Sequence, residues 1–212
     1  MPPVTPTAPN HSQNRRQGDV LERALYEATL AELAEAGYGG LTMEGIARRA
    51  HTGKAALYRR WAGKRELLHA ALLFAVPPVP ELRSDRSAKE NLRTMLTAHR
   101  DLLGGKTAFP GIDIIAQLIH EPELRSHFAD TVIGPRLKII DSIFERAVDD
   151  GHIDPAKITA LTARVGPALI NDHFLLTGEP PNNQELALVV DTVVPRDRPE
   201  CPSRRSDPSV AK

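Results

Sequence analysis

The chain has 212 residues, 41% of them hydrophobic, and its 27 basic residues are matched by 27 acidic ones. That is enough apolar material for a packed core, yet no apolar run approaches the roughly 18 residues a membrane span needs. The single Cys201, in a Pro/Arg/Ser-rich tail, excludes an intramolecular disulfide and a cysteine-based metal cluster, and reads as an idle thiol.

Residues 1–14 contain four prolines and no acidic residue, lysine or arginine, and are expected to be disordered. The stretch MPPVTPTAPNHSQNRRQG lacks the apolar segment of a signal peptide, which points to the cytoplasm. A first helix is predicted over Asp19–Ala36, with Leu21, Leu25, Ala28 and Leu33 as its apolar stripe and Gly37 as its stop. Thr42 caps a second helix and Glu44 complements its dipole. The turn Ala50-His51-Thr52-Gly53 follows, with His51 suited to positive φ and Gly53 as N-cap of a third helix. A fourth helix runs from Lys64 to about Ala75, before Pro77, Pro78 and Pro80 interrupt the chain. Ser87 and Glu90 form a capping box for a helix to about Leu103, broken by Gly104-Gly105. A helix over Pro110–Ile119 comes next, then a long one from Glu121-Pro122-Glu123 to Asp150, kinked at Pro135 and stopped by Gly151. Asp154-Pro155 opens a helix to Leu176, and Asn182 or Asn183 opens the last, through about Val194. The tail 196–212 is expected to be disordered. No segment alternates as a strand would, so the predicted fold is all-α.

Charge is distributed unevenly over these elements. Residues 15–69 hold ten basic against seven acidic residues, a net of +3, and residues 70–212 hold seventeen against twenty, a net of −3. Between Glu44 and Glu66 stand Arg48, Arg49, Lys54, Arg59, Arg60, Lys64 and Arg65, with no acidic residue among them. Met43, Ile46, Ala47 and Ala50, then Leu57 and Trp61, keep helical apolar spacing through the same stretch. A basic helix pair joined by a tight turn is the electrostatic footprint of a phosphate-backbone partner. A charge run can also be no more than a solvated face, so the residues themselves must decide.

Those residues resemble the DNA-binding domain of the tetracycline-repressor (TetR) family of bacterial regulators. The resemblance rests on Gly37-Tyr38, Thr42, Ile46-Ala47, Ala50, Lys54, Leu57-Tyr58, Trp61, Lys64 and Leu67, with the motif over 42–61. It implies an N-terminal three-helix helix-turn-helix DNA-binding domain over 15–75 and a larger α-helical effector-binding and dimerisation domain over 81–195. Double-stranded DNA carrying a palindromic operator is the implied partner. By position, Lys54, Ala55 and Ala56 would face the major groove, with Arg59 and Arg60 next on the helix; which arginine reaches a base is open. Thr42, Tyr58 and Lys64 match phosphate-contacting positions, and Thr52 and Gly53, in the turn beside them, belong to the same DNA-binding set, Gly53 letting the helix N-terminus approach a phosphate closely. Ala56 replaces the usual threonine or serine, and His51 the usual glycine.

For the second domain the resemblance implies a homodimer through the last two long helices, 155–176 and 182–194. Their apolar residues are Leu161, Val165, Leu169 and Leu176, then Leu186, Val189, Val190 and Val193, while Ala160, Ala163, Gly166 and Ala168 permit close helix approach. Such stripes describe core packing equally well. Candidate polar groups for an effector pocket are His99, Gln117, His120, Asn171 and His173, with His127 and Asp172 beside them. HEPE at His120–Glu123 lacks the second histidine of a zinc-protease helix, and there is no GxSxG, P-loop or GxGxxG. No metal, cofactor, membrane partner or enzymatic activity is therefore expected. The expected function is a ligand-responsive homodimeric repressor; the alternatives are a regulator or adaptor without an effector, or an all-α enzyme.

Overall fold

The computed structural model describes residues 11–111, 114 and 120–194, with side chains from residue 18 onward. Its regular structure is entirely helical: α1 (His11–Gly40), α2 (Met43–Arg49), α3 (Lys54–Tyr58), α4 (Lys64–Ala75), α5 (Ala88–Leu103), α6 (Pro122–Phe128), α7 (Gly134–Asp149), α8 (Thr162–Thr177) and α9 (Asn183–Val193). Among the described residues no helix is long and apolar enough to cross a membrane. The tail after Pro195 with Cys201, the first ten residues, and most of the helix predicted over Pro110–Ile119, including Gln117, lie outside the described residues.

The chain divides into two compact units, one of residues up to 79 together with 101–135, the other of 80–100 and 136 onward. The first is built on α1, whose Leu25, Ala28 and Leu33 are buried against Ile46 of α2, Leu57 of α3 and Leu67, Leu68 and Leu72 of α4. Each fully buried leucine or isoleucine contributes about 1.5–3 kcal/mol. Phe109, Leu124, Phe128 and Val132 complete this core, the two phenylalanines stacked at 5.8 Å. In the second unit α5 buries Leu92 and Leu96, and α8 and α9 bury Ala163, Ile170, Leu186 and Val190.

Several boundaries differ from expectation. Disorder is expected through residue 14, but α1 already includes residues 11–14; glutamine and arginine are good helix formers, and no proline stands between Pro9 and Pro77. Gly37 does break α1 at φ +64°, although a further turn carries the run to Gly40. The expected long helix is present as one uninterrupted helical run from Pro122 to Asp149, but it is not α-helical throughout. The chain widens into a π-helical turn over Ala129–Ile133, from which α7 departs. Proline cannot donate to the preceding turn and its ring crowds the carbonyl four residues back, and a wider turn accommodates both.

The helix expected from Pro155 begins only at Thr162. Asp154 caps Ala156 N–H at 3.0 Å as expected, but only a 3₁₀ turn follows, Pro155–Lys157. There Thr159 captures backbone groups for itself: its N–H bonds Thr162 Oγ1 at 2.9 Å, and its hydroxyl accepts from Leu161 N–H at 3.3 Å. Threonine side chains that satisfy the local backbone in this way compete with helix formation. The other end of α8 closes on Gly178, at φ +78°.

Candidate nucleic-acid interface

Each part of the helix-turn-helix has a local cause. Thr42 Oγ1 accepts from Gly45 N–H at 3.0 Å, satisfying one orphan donor of α2 while its own proton remains free to donate. His51 takes the left-handed conformation at φ +51°, reversing the chain between α2 and α3. Gly53, in an extended conformation, is the N-cap of α3 without a side-chain bond. Thr52 is half-buried in the turn.

Helix α3 is short and two-faced. Leu57 is fully buried and Trp61, just beyond it, packs edge-on to Tyr26 at 5.7 Å. Lys54, Ala55, Tyr58, Arg59 and Arg60 are exposed, Tyr58 by 53%. Ala56 departs from the expected groove-facing set. Its side chain is buried in the core cluster with Leu57, because on a helix one turn long two adjacent residues suffice to fill the inward face.

The seven cations of this stretch separate into two groups. Arg49 binds Glu32 Oε2 through Nε at 3.1 Å and Glu35 through its guanidinium end, clamping α2 to α1. These bonds hold the Glu35 carboxyl below its ordinary range and the Arg49 guanidinium above its own. The clamp explains Gly45: a β-carbon there would stand 2.1 Å from Glu32 Oε1. Lys54 Nζ donates to Glu44 Oε1 at 2.6 Å, and this bond, with one from the Glu44 backbone, lowers the carboxyl's pKa. Lys64 Nζ donates to the Tyr38 carbonyl at 2.9 Å and lies 4.5 Å from the Tyr38 ring centre, bracing α4 on the end of α1. Ammonium has three donors, so this brace leaves others for a phosphate. Arg65 pairs with Glu66 and Glu123. Among the described residues Arg48, Arg59 and Arg60 have no carboxylate partner; Arg60 reaches only the Ala56 carbonyl, at 3.4 Å. Charge counting cannot separate these groups, because the partners Glu32 and Glu35 lie a whole element away in sequence.

The effector-pocket candidates are only partly assembled. His99 Nε2 lies 2.9 Å from Asn171 Oδ1, joining α5 to α8 inside the second unit. Burial pushes the His99 pKa down, Asn171 opposes this, and the Arg136 charge adds to it, so the imidazole is neutral at pH 7. His173 faces Glu185 at 3.7 Å instead. His120 is exposed and belongs to the first unit, as does His127, whose ring lies tilted at 54° to that of His69 with centroids 3.8 Å apart. Asp172 is exposed. A cleft of about 360 Å³ in the first unit is lined by Arg65, His69, Glu123 and His127, and one of about 510 Å³ in the second by parts of 82–91 and 142–152. Neither is lined by His99, His120, Asn171 or His173. Among the described residues no group of three or more His, Cys, Asp or Glu is arranged to hold a metal ion.

The surface of α8 differs from a core helix. Leu161, Val165, Leu169, Leu175 and Leu176 are exposed, the last two by 79% and 76%, as is Leu188 of α9. Leu186, Val190 and Val193 are instead consumed by the chain's own core. Gly166 also faces inward, since a β-carbon there would meet Leu96 Cδ1 at 2.8 Å, so its close helix approach is to α5.

A helical head that presents a short cationic helix behind a fixed turn, joined to a second helical unit, defines a helix-turn-helix DNA-binding transcriptional regulator. Residues 25–71 match the family described as bacterial regulatory proteins, tetR family, and residues 84–193 match the tetracyclin repressor-like C-terminal domain. The chain belongs to the TetR family. It is 30% identical over 188 residues to the DNA-binding transcriptional repressor TetR of Mycobacteroides abscessus, covering 84% of this chain and 94% of the relative. It is likewise 30% identical over 179 residues to the HTH-type transcriptional regulator Rv1556 of Mycobacterium tuberculosis, covering 82% and 85%. The fold matches that of the transcriptional regulator FadR from Bacillus subtilis, solved in complex with stearoyl-CoA. The TM-score is 0.62 at 19% identity, covering 81% of this chain and 94% of that one.

Proposed function

We propose that this regulator is a cytoplasmic homodimeric repressor released from a palindromic operator by a small molecule. Its DNA-binding head is residues 15–75, and its effector-binding and dimerisation domain is residues 81–195. The reading helix offers Arg59 and Arg60 to base edges, where either could bind guanine bidentately, and Ala55 to a thymine methyl. Thr42, Thr52, Gly53, Tyr58 and Lys64 provide phosphate contacts that fix the register. The observation that carries this reading is the pair of exposed arginines that directly follow α3 and, among the described residues, have no carboxylate partner, while Leu57 just before them is fully buried.

Dimerisation is supported by the exposed leucines of α8, an apolar stripe of the kind found on interaction surfaces. Two-fold symmetry would place the reading helices on half-sites about 34–36 Å apart. The half-buried His99–Asn171 pair is the polar group best placed to recognise an effector inside the second domain. Release requires the effector to bind the non-DNA conformation more tightly than the DNA-bound one; equal affinity shifts nothing.

Light scattering and fluorescence anisotropy on DNA upstream of the gene test both halves together. The wild type is expected to be a dimer that retards a palindromic fragment, and Leu176→Asp a monomer that has lost specific binding. A monomeric wild type, or a Leu176→Asp dimer, would remove the interface. Specific binding that no small molecule relieves would leave a constitutive regulator.

A further inference from the structure

We propose that Glu44 is a specificity-determining residue, whose carboxylate holds the Lys54 ammonium off the phosphate backbone and so suppresses binding to DNA of arbitrary sequence. The proposal rests on α3 being the DNA-facing helix. Lys54 is the first residue of α3, and its Nζ donates to Glu44 Oε1 at 2.6 Å. Arg59 and Arg60, also exposed and just past the end of α3, have no such carboxylate among the described residues. The pair joins the beginnings of two successive helices, across a turn whose shape His51 and Gly53 fix.

Each partner is placed where the other suits it. Glu44 lies in the first turn of α2, where the unsatisfied N–H groups favour an anion. Lys54 lies at the opening of α3, where the same groups disfavour a cation, so a nearby carboxylate is its natural partner. The bond crosses solvent-exposed surface, with 56% of the Lys54 side chain and 53% of that of Glu44 accessible. It is therefore not part of the core, and a phosphate can compete for it.

The functional consequence follows from how the two modes of binding arise. Binding to arbitrary DNA comes almost wholly from cations that replace counterions on phosphates, at about 0.9 counterion per phosphate neutralised. A lysine held by a carboxylate brings no net charge to that exchange. Operator binding also draws on contacts to base edges, here assigned to Arg59 and Arg60, and depends less on any single phosphate. The Glu44–Lys54 bond thus weakens non-specific binding more than specific binding, and widens the ratio between them.

Anisotropy titrations of Glu44→Gln, Lys54→Met and the double variant test this. The probes are a labelled duplex of random sequence and an operator selected from random DNA, each measured over a range of salt. Glu44→Gln should bind the random duplex more tightly, with a log K against log salt slope steeper by about 0.9. Its advantage over wild type should shrink about 3.5-fold between about 50 and 200 mM salt. With Lys54→Met also present, the gain and the extra slope should both vanish, and the gain on the operator should be smaller throughout. An unchanged slope, a gain that survives Lys54→Met, or an equal gain on both probes would overturn the proposal. Arg59→Ala and Arg60→Ala separate this from failure of the underlying reading. If neither weakens binding to either probe, α3 is not the DNA face; if they weaken it while Glu44→Gln behaves as wild type, only the role of Glu44 falls.

Discussion

Gly45 provides a sharp test of the head, because local propensity and packing predict opposite signs. It lies inside α2, where exchanging glycine for alanine would ordinarily stabilise by about 0.5–1 kcal/mol. The new β-carbon would stand 2.1 Å from Glu32 Oε1, 2.9 Å from Glu32 Cδ and 3.1 Å from Thr42 Oγ1. Glu32 has little room to yield: its side chain is only 11% exposed and holds Arg49 at 3.1 Å. Overpacking of this kind costs about 1–3 kcal/mol against a helix gain of about 0.5–1 kcal/mol, so Gly45→Ala should destabilise, by up to about 2.5 kcal/mol. Urea unfolding measures the change directly. In a Glu32→Ala background only Thr42 Oγ1 stays close, so the same substitution should lose most of its cost and move towards the helix gain of about 0.5–1 kcal/mol. Stabilisation of the wild type by Gly45→Ala, or equal destabilisation in both backgrounds, would refute the clamp.

His51→Gly should raise stability by about 0.5–1 kcal/mol, the cost of a β-carbon in the left-handed region less the extra chain entropy of glycine, read as a higher melting temperature; a lower one would show that the imidazole makes a compensating contact. Acid should destabilise the second unit through His99, whose folded pKa lies below the ordinary 6.5 mainly because of burial. The unfolded chain then takes up the proton first, so this contribution is intact above 6.5 and is lost as the pH falls below it. His69, lowered by burial and by His127, acts with the same sign in the first unit. Replacing His99 by glutamine, which cannot titrate, should flatten the fall of the urea midpoint from neutral to mildly acidic pH; an unchanged profile would assign the effect elsewhere.

What could be read from the residues alone was whatever is decided within about one helical turn. The caps at Thr42, Gly53 and Ser87, the positive φ of His51, and the bounds of α4 all follow from neighbouring residues and are found in the structure, and of the two asparagines that could open α9 the cap is Asn182. Features set by distant partners were not legible. Glu32 and Arg49 are separated by a whole element, so the clamp that removes Arg49 from the free cations has no local signature. Ala56 carries no polarity by which to tell an inward from an outward face, and only the shortness of α3 settles it. The late start of α8 reflects a competition between Thr159 and the helix backbone that spacing rules do not weigh. The leucines of α8 are identical in pattern to a buried stripe, and only their accessibility in the folded chain distinguishes them.

Trp61 is the sole tryptophan of the chain, and it lies in the first unit against Tyr26, which itself contacts Phe74 at 5.1 Å. Indole emission therefore reports on that unit alone, without labelling, while circular dichroism follows helix in both. Denaturation recorded through the two signals will coincide if the units unfold as one cooperative block and separate if they do not. The head carries its own optical reporter, placed where loosening of α3 from α1 would alter the ring's surroundings first.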